Sequence, residues 1–206
     1  MNFPASTSET WIQIIHDGQD HWIVASKRKG DDFVSIFDSL GDTASDHVVG
    51  CISALLRPKE NSFYYQNVAC QQQLPNDCGL HAIANAVSLA MGEHPSECFY
   101  DRDVMRIHLK SCLQSNFMSS FPKSNAKKDY LASVSSQFKK VRVYCHCRRV
   151  LYNPLNSKKK DAWEAKECFS CKEWMHKMCD STWPLESTHR IWLCQKCKGN
   201  LNTITI

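Results

Sequence analysis

The last third of the chain carries eight residues whose side chains ligate zinc in proteins. Their order is C-x-C, C-x2-C, H-x2-C and C-x2-C, and they are Cys145, Cys147, Cys168, Cys171, His176, Cys179, Cys194 and Cys197. Zinc takes four thiolate or imidazole ligands in a tetrahedron, and one tight turn can present two closely spaced ligands. Eight ligands therefore predict two zinc ions. Because this stretch has few large apolar residues, we expect the metal to supply much of its folding free energy.

A disulfide framework, or a set of free thiols, is the alternative interpretation of these cysteines. Disulfides need an oxidising compartment, and residues 1–11 are polar and lack the apolar stretch of a secretory signal. We therefore expect a reducing compartment, in which thiols are kept for metal binding or catalysis. His146 and His189 fall outside the ligand pattern, and we expect both at the surface.

Residues 143–199 resemble the PHD finger family. The resemblance rests on the C-x-x-W-x-H-x-x-C run from Cys171 to Cys179, and on Trp192, two residues before Cys194. The histidine is the fifth ligand, whereas a RING finger would place it fourth. The resemblance implies an interleaved arrangement of two ligand groups. One ion would lie on Cys145, Cys147, His176 and Cys179, and the other on Cys168, Cys171, Cys194 and Cys197.

The PHD resemblance implies that this region binds a histone tail. Methyl-lysine readers in the family hold the quaternary ammonium in an aromatic cage. The matching positions are Tyr144 and Trp174, while Tyr152 and Trp163 lie near two other cage positions. Trp174 has a structural interpretation as well, since a tryptophan in so small a module often packs against the ligand loops.

Two features differ from the usual histone-binding pattern. Phe169 stands where the family commonly has an acidic residue. The loop between Cys147 and Cys168 carries three consecutive lysines at 158–160, which would repel a basic tail. The expected partner is therefore a histone tail with or without lysine methylation.

A second set of reactive side chains lies in the first 122 residues: His21, Asp38, Gln72 and Cys78. A cysteine at the start of a helix is favoured as the thiolate by the helix dipole. An imidazole activates the thiol further, a carboxylate orients the imidazole, and an amide such as that of Gln72 can donate to an oxyanion. The set predicts nucleophilic thiol catalysis. Taken singly, each residue is more often structural.

In this order the set resembles the ubiquitin-like-protein-specific cysteine proteases, the family of the SUMO proteases and the adenoviral protease (adenain). The resemblance rests on His21-Trp22, on Asp38-Ser39-Leu40 seventeen residues later, on Gln72, and on Asp77-Cys78-Gly79. It implies Cys78 as nucleophile, His21 as general base, Asp38 as its orienter and Gln72 in the oxyanion hole. Trp22 would cover the channel for a Gly-Gly tail, and the substrates would be ubiquitin-like conjugates.

Two further features accompany this resemblance. Family domains usually place more chain before the His-Trp strand, so we expect this one to be short at its N-terminus. His81 stands where the family commonly has an aromatic or aliphatic residue. The pairing with a PHD finger resembles proteins encoded by, or descended from, transposable elements.

The elements that would position these residues follow from the apolar spacing. Strands are predicted at Trp11–His16, 21–26, 33–38 and Ser62–Val68, with a turn at Asp17-Gly18. Helices are predicted at 48–56, from Asp77 or Cys78 onward, and at 101–114. The predicted fold class is α+β: a small, mostly antiparallel sheet on helices, as in a papain-like cysteine protease fragment, followed by the zinc module.

Charge divides the chain unevenly. Residues 1–122 carry 8 basic against 14 acidic side chains, residues 123–166 carry 12 against 3, and residues 167–206 carry 5 against 4. We assign 1–122 to the protease-like domain, 123–142 to a basic linker, 143–199 to the zinc module and 200–206 to a tail. The linker has two interpretations, a weak nucleic-acid contact and a solvated or nuclear-import segment, and we favour the second. No apolar run reaches the roughly 20 residues that span a membrane.

Three functions fit these observations. The first is a nuclear thiol peptidase acting on ubiquitin-like conjugates and targeted to chromatin by its finger. The second is a non-catalytic chromatin reader with an inactive protease-like scaffold. The third is a transposon-encoded processing protein.

Overall fold

The computed structural model of the chain describes residues 9–41, 44–71, 74, 76–124, 138–151, 164–183 and 191–201. Gln72, Tyr152 and Trp163 lie outside the described residues, as do His189 and the lysines at 158–160. The described part combines a mostly antiparallel five-stranded sheet with four α-helices, which confirms the predicted α+β class.

The five-stranded sheet contains all four predicted strands and one more. Its strands, in spatial order, are β1 (Trp11–His16), β2 (Trp22–Lys27), β3 (Phe33–Phe37), β4 (Ser62–Val68) and β5 (Lys139–Arg142). Strand β2 pairs antiparallel with both β1 and β3, whereas β3 and β4 are parallel. Parallel neighbours need a crossover connection, and helix α1 (Asp46–Leu56) lies between them in the chain.

Two long helices complete the N-terminal part. Helix α2 (Cys78–Ala90) begins at one of the two predicted starts, and α3 (Arg102–Ser115) lies within one residue of its prediction. Residues of α2 belong to two buried clusters. One contains Ala82 with Val24 and Phe37 of the sheet. The other contains Leu80, Ala84 and Val87 with residues of and around α3: Cys98, Tyr100, Met105 and Phe121.

The cysteine-rich part has little regular structure. Strands β6 (Ala165–Glu167) and β7 (Trp174–His176) form an antiparallel pair, and a short helix α4 (Gln195–Leu201) follows. Its buried cluster consists of three of the predicted ligands with two large side chains: Cys145, Cys168, Cys194, Met175 and Trp192. Trp192 is 4% exposed and its indole N–H donates to the carbonyl of Thr182 at 3.0 Å. The core is therefore built largely from the ligands themselves.

The chain divides into two compact units. The N-terminal unit takes in the described residues of 6–48 and 64–140, and the cysteine-rich unit takes in 49–63 and those from 141 onward. Within the cysteine-rich unit, the Asn61 carbonyl accepts a hydrogen bond from the Val143 N–H at 2.9 Å. The last four residues of the predicted basic linker, 139–142, form β5. None of the described helices has the length and apolar composition needed to cross a membrane.

Candidate functional site

His21 and Asp38 form a buried pair in the N-terminal unit. His21 directly precedes β2 and Asp38 directly follows β3, so the antiparallel pairing of these strands brings the two residues to one edge of the sheet. Nε2 of His21 lies 2.7 Å from Oδ1 of Asp38, and the residues are 8% and 5% exposed. The Asp38 carboxylate also accepts from the Leu40 N–H at 2.8 Å. The hydrogen bond to Asp38 raises the pKa of His21 to about 9, against an opposing effect of burial.

The turn between β1 and β2 holds the backbone of His21. The Asp17 carboxylate accepts from the N–H groups of Gln19 at 2.8 Å and His21 at 3.0 Å, and the Asp17 N–H donates to the His21 carbonyl. Gly18 has a φ of +93°, and a Cβ there would lie 2.9 Å from the His47 ring, so any other residue would be strained at this position. The Asp17-Gly18 sequence predicted the turn. The hydrogen bond that the Asp17 carboxylate accepts from the His21 N–H was not predicted.

Cys78 is the first residue of α2 and is partly exposed. Its Sγ lies 3.9 Å from the carbonyl oxygen of Asp20, the residue before His21. A hydrogen bond and a charge interaction with Cys78 also raise the pKa of His21. Because Nε2 of His21 is engaged by Asp38, Nδ1 is the ring nitrogen left for Cys78. The structure thus brings His21, Asp38 and Cys78 together, while Gln72 lies outside the described residues.

Trp22 lies beside the start of α2. Its side chain is 41% exposed, and its ring contacts His16 edge-on with centroids 4.8 Å apart. A Cβ added to Gly79 would lie 3.7 Å from Cδ1 of Trp22, so the indole borders the residue that follows Cys78. An exposed aromatic ring next to a nucleophile can cover an extended segment of substrate.

Gln71, which sequence analysis did not select, ties the chain just before Gln72 to the region ahead of α3. Its side chain is enclosed, with the residue 4% exposed, and it bonds both backbone groups of Tyr100. The Tyr100 N–H donates to Oε1 at 2.8 Å, and Nε2 donates to the Tyr100 carbonyl at 3.1 Å. No local sequence signal predicts these two hydrogen bonds, because Gln71 and Tyr100 are 29 residues apart in the chain.

His81, one turn beyond Cys78, is 1% exposed. Burial, with a smaller effect of Arg102, lowers the pKa of His81 to about 4. The imidazole is therefore neutral at physiological pH, and it packs edge-on to Tyr100 at 6.1 Å between centroids. The neutral imidazole of His81 therefore packs in the core, as an aromatic or aliphatic side chain would at this position of α2.

The eight cysteine and histidine residues fall into two groups in the cysteine-rich unit. They are Cys145, Cys147, His176 and Cys179 in one group, and Cys168, Cys171, Cys194 and Cys197 in the other. Within each group the ligand atoms all lie within 4.8 Å of one another, so each group could hold a metal ion. These are the same two sets that the PHD resemblance implies.

The geometry of both groups fits a tetrahedral ion. With metal–sulfur bonds of about 2.3 Å, tetrahedral sulfur ligands lie roughly 3.8 Å apart, and Sγ of Cys171 and Cys194 are separated by 3.9 Å. Nδ1 of His176 lies 3.3 Å from Sγ of Cys147. Nε2 of His176 donates to the Val150 carbonyl at 3.1 Å, which fixes the ring orientation and presents Nδ1 as the ligand atom of the group.

The described cage candidates are Tyr144 and Trp174. The guanidinium of Arg142 lies over the Tyr144 ring, 5.1 Å from its centroid, so one face of this ring already carries a cation. Trp174 is half-buried and pairs with Glu167 across β6 and β7. Phe169 is 56% exposed and has the Lys172 ammonium over its ring at 4.6 Å.

Comparison of the chain with protein-family models, with curated proteins and with solved structures found no match.

Proposed function

We propose that the chain is a thiol peptidase of the ubiquitin-like-protein-specific type, carrying a zinc-stabilised PHD-type module. The single observation that carries the proposal is the buried His21–Asp38 pair at 2.7 Å, with Cys78 at the start of α2 as a third member. Nucleophile, base and orienting carboxylate in this relation are the minimal set for acyl transfer.

The protonation of His21 fits this chemistry. With its pKa raised to about 9, the imidazole holds its proton at neutral pH. A protonated imidazole beside the thiol stabilises a Cys78 thiolate, which attacks the substrate carbonyl. The same imidazolium then gives its proton to the departing amine, and Asp38 holds the ring in place throughout.

The substrate proposed is a ubiquitin-like conjugate with a Gly-Gly tail. Support comes from Trp22, whose exposed ring borders Gly79 next to Cys78, where the family resemblance places the cover of a channel for a Gly-Gly tail. Gln72, placed by sequence six residues before Cys78, is the proposed side-chain donor to the oxyanion.

Cleavage of a ubiquitin-like protein with a short extension after its Gly-Gly tail tests this proposal. The wild-type chain is expected to remove the extension, with Cys78→Ala and His21→Ala inactive. Activity retained by Cys78→Ala would refute the assignment of the nucleophile.

The metal proposed for both Cys/His groups is zinc, because sulfur-rich tetrahedral sets with one imidazole favour it. When bound, the two ions would cross-link loops that have few large apolar side chains of their own. No step of the peptidase chemistry involves them. Metal analysis is expected to give two zinc ions per chain, and one or none would contradict the two-site arrangement.

Binding of a histone tail in the nucleus is the proposed role of the zinc module. Its support is that Tyr144 and Trp174 stand at sequence positions that the PHD resemblance assigns to a cage. A panel of unmodified and methylated histone peptides tests this, and binding by none of them would remove the reader function. Binding together with an inert Cys78 would favour the non-catalytic chromatin reader instead.

A further inference from the structure

Asp77, the residue before Cys78, holds its carboxylate away from the helix that it precedes. An aspartate at this position usually accepts a hydrogen bond from a backbone N–H in the first turn of the helix. Asp77 makes no such side-chain bond. Its carboxylate instead pairs with the guanidinium of Arg106 on α3.

Arg106 reaches two consecutive residues of the turn that leads into α2. Besides its ion pair with Asp77, it donates to the carbonyl of Asn76 at 3.5 Å. Asn76 has a φ of +66°, a left-handed conformation that a non-glycine residue adopts at some cost. The Asp77 side chain is 14% exposed whereas that of Arg106 is 67% exposed, so a surface cation holds an enclosed anion.

We propose that Arg106 is a positioning residue for the Cys78 thiol, because it neutralises the Asp77 carboxylate and keeps it off the N-terminus of α2. This inference rests on the proposed function, in which Cys78 reacts as a thiolate. Without Arg106, the Asp77 carboxylate would turn to the N–H groups of the first helical turn, as aspartates at this position do. There it would repel the thiolate and occupy donors that otherwise favour negative charge at the helix start.

Other charged and titratable groups lie near the thiol among the residues that the structure describes. His21, with Asp38 behind it, faces Cys78 from the start of β2, and Asp20 precedes it. His81 on α2 is neutral at physiological pH, and Arg102 acts on it. Asp77 differs from these groups in two ways. It is adjacent to Cys78 in the chain, and its carboxylate is paired with a cation on α3.

The test is the rate of Cys78 alkylation by iodoacetamide against pH, measured on the full zinc-loaded chain. Mass spectrometry of the Cys78 peptide separates it from the other cysteines. Arg106→Gln is expected to raise the midpoint pH of alkylation by about one unit and to slow alkylation several-fold at neutral pH. Arg106→Lys, which keeps the charge, is expected to stay closer to wild type.

The charge-specific control is the double variant. Asp77→Asn in the Arg106→Gln background removes the unbalanced carboxylate and is expected to return the midpoint to the wild-type value. A merely structural role of Arg106 would not be rescued in this way. The proposal is overturned if Arg106→Gln folds with an unchanged midpoint, or if Asp77→Asn fails to rescue it.

Two further variants keep the inference separate from the proposed function. If Arg106→Gln does not fold, the single variant Asp77→Asn tests the inference. A midpoint pH of Cys78 alkylation in Asp77→Asn above that of the wild type would overturn it. His21→Ala tests the proposed function itself. If His21→Ala leaves the pH profile of Cys78 alkylation unchanged, the proposed pair of Cys78 thiolate and His21 imidazolium is refuted. This holds independently of the result for Arg106→Gln.

Discussion

At the scale of single residues, the His21–Asp38 pair dominates the electrostatics of the site. Both side chains are nearly enclosed, and the hydrogen bond between them is short at 2.7 Å. The pair shifts the proton equilibrium of His21 toward the imidazolium, with the pKa at about 9. Such a shift fits a thiol nucleophile, which needs a nearby cation more than it needs a strong free base.

The raised pKa of His21 predicts a pH-dependent contribution to stability. Because the folded protein binds this proton more tightly than the unfolded chain, the contribution is complete below the ordinary pKa of 6.5 and is lost as pH rises to about 9. Asp38→Asn keeps the shape of the side chain but removes its charge. It is expected to lower the free energy of unfolding by about 3 kcal/mol near pH 6.5. Urea unfolding of both proteins between pH 6 and 10 measures this.

The difference between the two stability curves is expected to become independent of pH above about 9, since the wild-type His21 is then largely neutral. Apart from Cys78, which interacts with His21, the other titrating groups are shared by the two proteins, and their contributions cancel in the difference. A difference that is constant across the whole pH range would show that Asp38 acts through packing rather than through the charge on His21.

At the scale of elements, the site depends on where β2, β3 and α2 begin and end. His21 and Asp38 meet because they flank paired strands, and Cys78 joins them because α2 begins there. Gln71 fixes the end of the segment after β4 by bonding both backbone groups of Tyr100. This long-range clamp stands immediately before Gln72, the proposed oxyanion donor.

Gln71→Met is expected to destabilise the N-terminal unit by about 3 kcal/mol, because it keeps the side-chain length but leaves a buried N–H and a buried carbonyl of Tyr100 without partners. Thermal and urea unfolding measure the loss. Gln13→Met is the matched control, since Gln13 makes one bond to the Ile14 carbonyl at a less enclosed position. Equal losses in the two variants would contradict the clamp.

The strands and helices were largely predictable from sequence, because alternating apolar residues and helical spacing are local signals. Trp11–His16 and Ser62–Val68 have the predicted bounds, and α2 has a predicted start. The parallel pairing of β3 with β4, and the strand β5, were not predicted. Both depend on partners distant in the chain, and Lys139–Arg142 looks like a basic linker by composition.

Part of the candidate site was likewise predictable from sequence, and part was not. Residue types and order predicted His21, Asp38 and Cys78. Spacing predicted eight metal ligands and two ions, and the PHD resemblance implied which four residues form each group. The partners that hold these residues were missed, since a pair such as Arg106 and Asp77 joins positions 29 apart with no local signal. For Asp17 a local signal existed: the turn at Asp17-Gly18 was predicted, but the hydrogen bond from the His21 N–H to its carboxylate was not.

At the scale of the whole molecule, two units draw their stability from different sources. The N-terminal unit has apolar clusters between α2, the sheet and α3, whereas the buried cluster of the cysteine-rich unit is mostly ligands. Removing zinc should therefore affect the two units unequally.

A strong chelator is expected to unfold residues 143–199 and to leave the N-terminal unit, residues 9–48 and 64–122, nearly unchanged. Hydrogen exchange resolved by peptide measures both regions in one sample. Cys171→Ser and Cys51→Ser form a matched pair, since only the first removes a ligand: it should make the cysteine-rich region sensitive to lower chelator concentrations. Equal loss of protection in both regions would contradict separate sources of stability.

We propose that Cys78, His21 and Asp38 form a working thiol site for ubiquitin-like tails. Covalent labelling by ubiquitin-like proteins that carry a C-terminal electrophile tests it most directly, with the wild-type chain beside Cys78→Ala. We expect at least one probe to label the wild type and none to label Cys78→Ala. A folded, zinc-loaded wild-type chain that no probe labels would contradict it.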